Sequence, residues 1–139
     1  MQVKLGASLI GIIWIGLLAA SASTAEPQAV IVPVGPDGVQ RMEITVDSYS
    51  FTPNRLIVKE NIPVELILKS ISWIVPHNFV LKSPEAGLDI EQEIPAGGTV
   101  SVRFTPTGTG AFRFACTKRL LFFQSHEDHG MVGTLEVGK

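Results

Sequence analysis

The chain has 139 residues, with eleven basic and thirteen acidic side chains and a formal net charge of −2. No basic stripe runs through it, which argues against a nucleic-acid surface, and its length suits one domain with a modest core. It carries a single cysteine, so no disulfide framework can staple the fold.

The first 25 residues read as an address. Lys4 precedes the apolar run LGASLIGIIWIGLLAA, small residues follow in SASTA, and the polar EPQ comes next. That order is expected of a secretory signal peptide cleaved after Ala25, and it implies a secreted protein of the bacterial periplasm or cell surface. The rival expectation is an uncleaved membrane anchor, since the run approaches the roughly 20 residues needed to span a bilayer. Residues 26 to 40 (EPQAVIVPVGPDGVQ) read as a flexible lead or one extra edge strand, because Pro33 and Pro36 would spoil a central strand.

From residue 41 the pattern has period two. Met42, Ile44 and Val46 share a face in RMEITVD, and Val64, Leu66 and Leu68 do so in PVELILK. Val100, Val102 and Phe104 follow in TVSVRF, then Phe112, Phe114 and Cys116 in AFRFAC, then Leu135 and Val137 in GTLEV. RLIVKE and HNFVLK are further strand candidates. The breakers TPN, NIP, SPEAG, IPAGG and TPTGTG separate these runs, and no long amphipathic helix interrupts them. The expected fold is all-β: a Greek-key antiparallel sandwich of seven or eight strands over 41 to 139.

The candidate chemistry lies in His77, Cys116, His126, His129 and the methionines. A lone cysteine is either a buried, inert small hydrophobe or a thiolate held by a metal. His77 opens one strand candidate, Cys116 ends another, and His126 and Met131 precede the last. Loops at one end of a sandwich cluster, so these positions can converge. Two His, one Cys and a distant Met form the donor set of mononuclear electron-transfer copper: thiolate and imidazoles in a plane, the thioether weakly along the axis. No acid–base dyad, activated nucleophile or phosphate loop points to a hydrolase; the expectation is an electron carrier rather than an enzyme, with a small redox enzyme or subunit having an open coordination position as the lesser alternative.

PHNFV, GAFRFAC and SHEDHGMVGTLEV together resemble the plastocyanin and azurin group of blue copper proteins, the cupredoxins, and FTPNRLIVKENIPVEL resembles the opening of bacterial members. The resemblance covers roughly 41 to 139. It implies one copper ion held by His77, Cys116, His126 and Met131, and a one-electron carrier. His126 matches because it stands five residues before Met131, as in plastocyanin-like members; His129 falls at a variable position, solvated or beside the ligands. The departure is in length: nine residues separate Cys116 from His126, where familiar members have two to four. The alternative function is a copper carrier, sink or sensor without fast electron transfer.

Ten residues fully extended would span about 33 Å, so TKRLLFFQS must double back for its ends to meet one ion. Two or three of the Leu120–Phe123 side chains tucking over the metal is the first expectation. An exposed apolar patch that docks a redox partner near His126 is the second. Asn78 is expected to hydrogen-bond near Cys116. Trp73 is expected to be packing, Glu127 and Asp128 surface charges, and Lys118 and Arg119 solvated or steering an acidic partner. The protein is expected to be a monomer.

Overall fold

The computed structural model describes residues 28–139; the expected signal peptide lies outside the described residues. The strands are β1 (Val30–Ile31), β2 (Gln40–Asp47), β3 (Ser50–Thr52), β4 (Arg55–Lys59), β5 (Val64–Ser70) and β6 (His77–Ser83). After a short turn of 3₁₀ helix at Pro84–Ala86 come β7 (Leu88–Ile94), β8 (Thr99–Phe104), β9 (Gly110–Ala115) and β10 (Val132–Gly138). They form a six-stranded sheet in the order β1-β4-β10-β9-β6-β7 and a four-stranded sheet in the order β3-β2-β5-β8.

The expected sandwich is present; the described residues hold ten strands, nine of them (β2–β10) where seven or eight were expected. β1 is the extra edge strand in the lead, and Val32 just beyond it is buried in the core. β7 escapes a reading by composition because its outward positions are Asp89, Glu91 and Glu93, residues poor in strands. It is an edge strand, and an acidic outer face blunts an edge against pairing with other chains. The sheets are mixed rather than wholly antiparallel: β1 with β4, β10 with β4 and β2 with β5 run parallel. Period-two alternation is identical in either direction, so strand polarity leaves no trace in it.

The inward residues match the alternation. Ile44, Val46, Leu66 and Leu68 from one sheet and Leu56, Phe79, Leu81, Phe114 and Leu135 from the other belong to a single buried cluster. Phe51, Phe79 and Phe114 form an aromatic triad, with ring centroids 5.9, 5.3 and 4.9 Å apart. Gly133, paired with Phe114 across β9 and β10, makes this possible, because a Cβ there would overlap the Phe114 ring. On the outer face of the smaller sheet Glu65 accepts from Arg41 at 2.7 Å and from Arg103 at 2.8 Å, and Arg41 also holds Asp37.

Candidate metal centre

Three adjacent strands deliver the candidate ligands to one end of the larger sheet. His77 is the first residue of β6, Cys116 follows the last residue of β9, and Met131 precedes the first of β10. Register aligns them: Ala115 lies opposite Val80 of β6 and Val132 of β10. The Cys116 amide donates to the Met131 carbonyl at 3.1 Å, and the Met131 amide donates to the His126 carbonyl at 2.9 Å. The backbone therefore ties Met131 to two of the other candidates.

His77, Cys116 and His126 converge. The Cys116 Sγ lies 3.4 Å from His126 Nδ1 and 3.9 Å from His77 Nδ1, and the two Nδ1 atoms are 3.2 Å apart. All three residues are buried, and so is Met131. Metal–ligand bonds of about 2.0–2.3 Å in a trigonal plane span donor–donor edges of about 3.5–3.7 Å, close to this triangle. Two imidazole nitrogens and a sulfur at such separations, away from water, form a set of lone pairs that wants a cation. Within the side chains described, the only buried polar atom without a hydrogen-bond partner is His77 Nε2, on the far side of the ring from the triangle. The donor set of His77, Cys116 and His126, with Met131 beside it, suits one copper ion.

The electrostatics hold the imidazoles in the ligating form. Burial, and then the neighbouring His126, push His77 down to about 4, with Asp47 opposing. Burial and the charge of His129 also lower His126. Burial raises the Cys116 thiol, and the backbone amides of Asn78 and Lys118 oppose that rise by donating to sulfur. Near neutral pH the metal-free site is thus uncharged, and a bound cation supplies the charge that favours the thiolate.

Asn78 meets its expectation. Its amide donates to Cys116 Sγ at 3.4 Å, its Nδ2 donates to Thr117 Oγ1 at 2.9 Å, and its Oδ1 accepts from the Thr117 amide at 2.8 Å. These three bonds clip the segment after β9 onto the start of β6.

The long loop resolves into a hairpin. The His126 amide donates to the Lys118 carbonyl at 2.9 Å, Arg119 bridges Ser125, and the Phe123 amide donates to the Leu120 carbonyl at 3.0 Å. Arg119–Ser125 is therefore a self-paired excursion that returns the chain to where it left. Seen from the ligands, only Thr117 and Lys118 lie between Cys116 and the residue bonded to Lys118, which is His126. Leu120–Phe123 form the turn at its tip, with Leu121 at a φ of 52°, a strained value for a side chain of this kind.

Two expectations are corrected here. The Leu120–Phe123 side chains are not buried over the site: all four are exposed, Phe122 fully. Trp73 is not interior packing either; it lies over Gly97 with 87% of its surface exposed. His129 stays outside the triangle, is exposed, and stacks obliquely on Tyr49 with centroids 4.6 Å apart. Tyr49 also meets His126 edge-on at 5.3 Å. Sequence reasoning passed over Tyr49, whose only signal was its place in the tight turn between β2 and β3. Glu127 pairs with Arg113 at the surface, and Asp128 caps the turn that carries His126 by accepting from the Ser125 amide and hydroxyl.

Solved structures share this fold. The metal-binding domain of a Cu(I)-exporting P-type ATPase from Streptococcus pneumoniae aligns with a TM-score of 0.60 at 17% identity, covering 83% of this chain and all of that one. Auracyanin A, a blue copper protein from Chloroflexus aurantiacus, aligns at 0.57 and 22% identity, covering 73% of this chain and all of that one. The dithionite-reduced auracyanin of Roseiflexus castenholzii aligns at 0.58 and 19% identity, covering 71% of this chain and 97% of its own. No curated protein matches the chain by sequence. Residues 9–132 match the family described as Cupredoxin-like domain, and by this match and its ten-stranded sandwich the chain belongs to the cupredoxin-like family.

Proposed function

We propose that the chain is an exported one-electron carrier that holds one copper ion through His77, Cys116 and His126, with Met131 as a weak axial ligand. The observation that carries this reading is the buried triangle of one sulfur and two Nδ1 atoms, with His77 and Cys116 set at strand ends and His126 held in its turn by backbone bonds to Lys118 and Met131. Copper supplies the one-electron couple when bound. The chain's own residues fix the donors before the metal arrives, so little rearrangement accompanies a change of charge. The amide of Asn78 donates to the sulfur and moderates its electron density. A redox partner docks at the His126 end, beside the exposed Leu120–Phe123 stretch, and the protein works as a monomer without nucleic acid. The leader sends it to the periplasm or cell surface, and membrane attachment follows only if that leader is retained.

A second reading has specific support. One structural relative is a Cu(I)-binding domain of an exporter, and a copper carrier, sink or sensor would need the same donors without fast transfer. Optical and paramagnetic resonance spectra of the copper(II) protein, followed by voltammetry, separate the two. An intense thiolate-to-copper charge-transfer band with fast reversible voltammetry is expected. A free, titratable Cys116 thiol in the copper-loaded protein would sink both readings; a bound thiolate with sluggish voltammetry would leave only the second.

A further inference from the structure

A groove of about 350 Å³ lies beside His126, and neither metal binding nor the sandwich core requires it. Its apolar lining comes from two separate segments: Ile74–Pro76, just before β6, and Leu120 and Phe123 of the hairpin. Its polar lining consists of Tyr49, Lys118, Arg119, Gln124 and the two histidines, with no aspartate or glutamate. That is an island of positive or neutral groups on a chain whose acids outnumber its bases. Lys118 is engaged by Glu93 at 2.6 Å. Arg119 makes no ion pair within 4 Å among the described residues, although its charge reaches Asp128. The hairpin that builds one side keeps Leu121 in the left-handed region, and backbone strain of this kind persists where the surroundings hold it in place.

The size is within the range of small-molecule sites, which are largely apolar with a few placed polar groups. The aromatic side chains of Tyr49, Phe123 and His129 in the lining favour a flat ring over an alkyl chain, and a guanidinium without an ion pair favours a carboxylate, which it can grip through two parallel bonds. We propose that this groove binds a planar aromatic anion of one or two rings, an aryl carboxylate being the type, with its ring against Ile74, Pro76 and Phe123 and its charge on Arg119. The chain alone builds the groove, so the proposal stands apart from the copper reading. Its consequence for that reading is positional: an occupant covers the approach to His126.

The test is titration of the ¹⁵N-labelled, metal-free protein with 2-naphthoate, with 2-naphthol as an uncharged counterpart of similar shape, and repetition on the copper(I)-loaded protein. Saturable amide shifts are expected at residues 74, 75, 118–124 and 129, with naphthoate binding about fivefold tighter than naphthol. Arg119→Gln should erase that preference while leaving naphthol binding unchanged. Phe123→Ser should weaken both ligands, and Ile74→Asp, on the other side of the groove, should weaken naphthoate most. Retained dispersion of the remaining amide signals shows that each variant is folded. Three results would each overturn the proposal: no saturable shift in the millimolar range, shifts centred on the Arg41 and Arg103 face, or a naphthoate preference that survives Arg119→Gln. Because the metal-free protein is the first sample, failure of the copper reading would leave this outcome intact.

Discussion

The hairpin makes a quantitative prediction. Replacing Arg119–Gln124 by a single glycine keeps Ser125, whose hydroxyl and amide both donate to Asp128, and reduces the residues between Cys116 and His126 from nine to four. The Lys118 carbonyl and the His126 amide are already 2.9 Å apart, so the ends to be rejoined are neighbours. Shortening the closed loop from nine residues to four gains about 0.7 kcal/mol of closure entropy. Releasing Leu121 from its left-handed conformation gains about 1 kcal/mol more. Against this stands the Phe123-to-Leu120 bond, at the surface and worth about 0.5–1 kcal/mol; the Arg119–Ser125 bridge rests on the Lys118–His126 bond, which the variant keeps. The balance is a gain of about 1 kcal/mol, or a rise in Tm of about 4–8 °C. Thermal unfolding measures the first quantity; the copper stoichiometry and visible spectrum, compared with the parent's, measure whether the triangle survives. A folded variant that loses copper, or a Tm that falls rather than rises, would refute the claim that the excursion is separable from the ligand frame.

Other outcomes follow from the same geometry. Cys116→Ser and His126→Ala should each abolish the parent's copper signature, whereas His129→Ala should retain full stoichiometry, as read by metal analysis and absorption. Gly133→Ala forces a methyl into the Phe114 ring and should destabilise by about 1–3 kcal/mol in denaturant unfolding, with its main effect on stability rather than on metal affinity. Stability should fall on acidification. Arg41, and then Arg103, lower the Glu65 carboxyl below its ordinary 4.5, and Arg41 lowers Asp37 to about 2. A carboxyl lowered on folding stabilises fully above its unfolded value and loses that contribution as pH falls through the folded one. Unfolding followed between pH 5 and pH 2 should therefore show a decline that Glu65→Gln makes shallower.

Most of the fold was legible because alternation reports a half-buried strand directly. Ile44, Leu66, Val102 and Leu135 are inside, where their alternation puts them. What escaped did so for physical reasons. β7 hides its apolar positions among acids that protect an edge, and parallel pairing leaves no mark on a period of two. At the site, the convergence of His77, Cys116 and His126 was foreseeable from strand ends, because a sandwich gathers its loops. The fate of Leu120–Phe123 was not. Four apolar residues between two ligands suggest a lid over a metal, and only backbone pairing at Lys118 and His126 shows that the chain has already closed beneath them. Hydrophobicity reports a wish to be buried, whereas a turn at the tip of a hairpin decides the direction in which side chains point.

This separation gives the site two layers with different tasks. The inner layer is rigid by construction: His77, Cys116 and Met131 stand at the ends of adjacent strands, fully buried, with backbone bonds joining Cys116 to Met131 and Asn78 clipping Thr117. A metal held there would see little change if the surface were altered. The outer layer is Tyr49, His126, His129 and the hairpin, and His126 belongs to both, with its Nδ1 in the triangle and its ring lining the groove. Whatever approaches the centre by the groove meets His126 before any other candidate ligand, since His77, Cys116 and Met131 do not line it. The excursion between Cys116 and His126 therefore shapes the groove beside His126 apart from the atoms that would hold a metal: Leu120 and Phe123 line that groove, and the Lys118–His126 bond closes the chain beneath them.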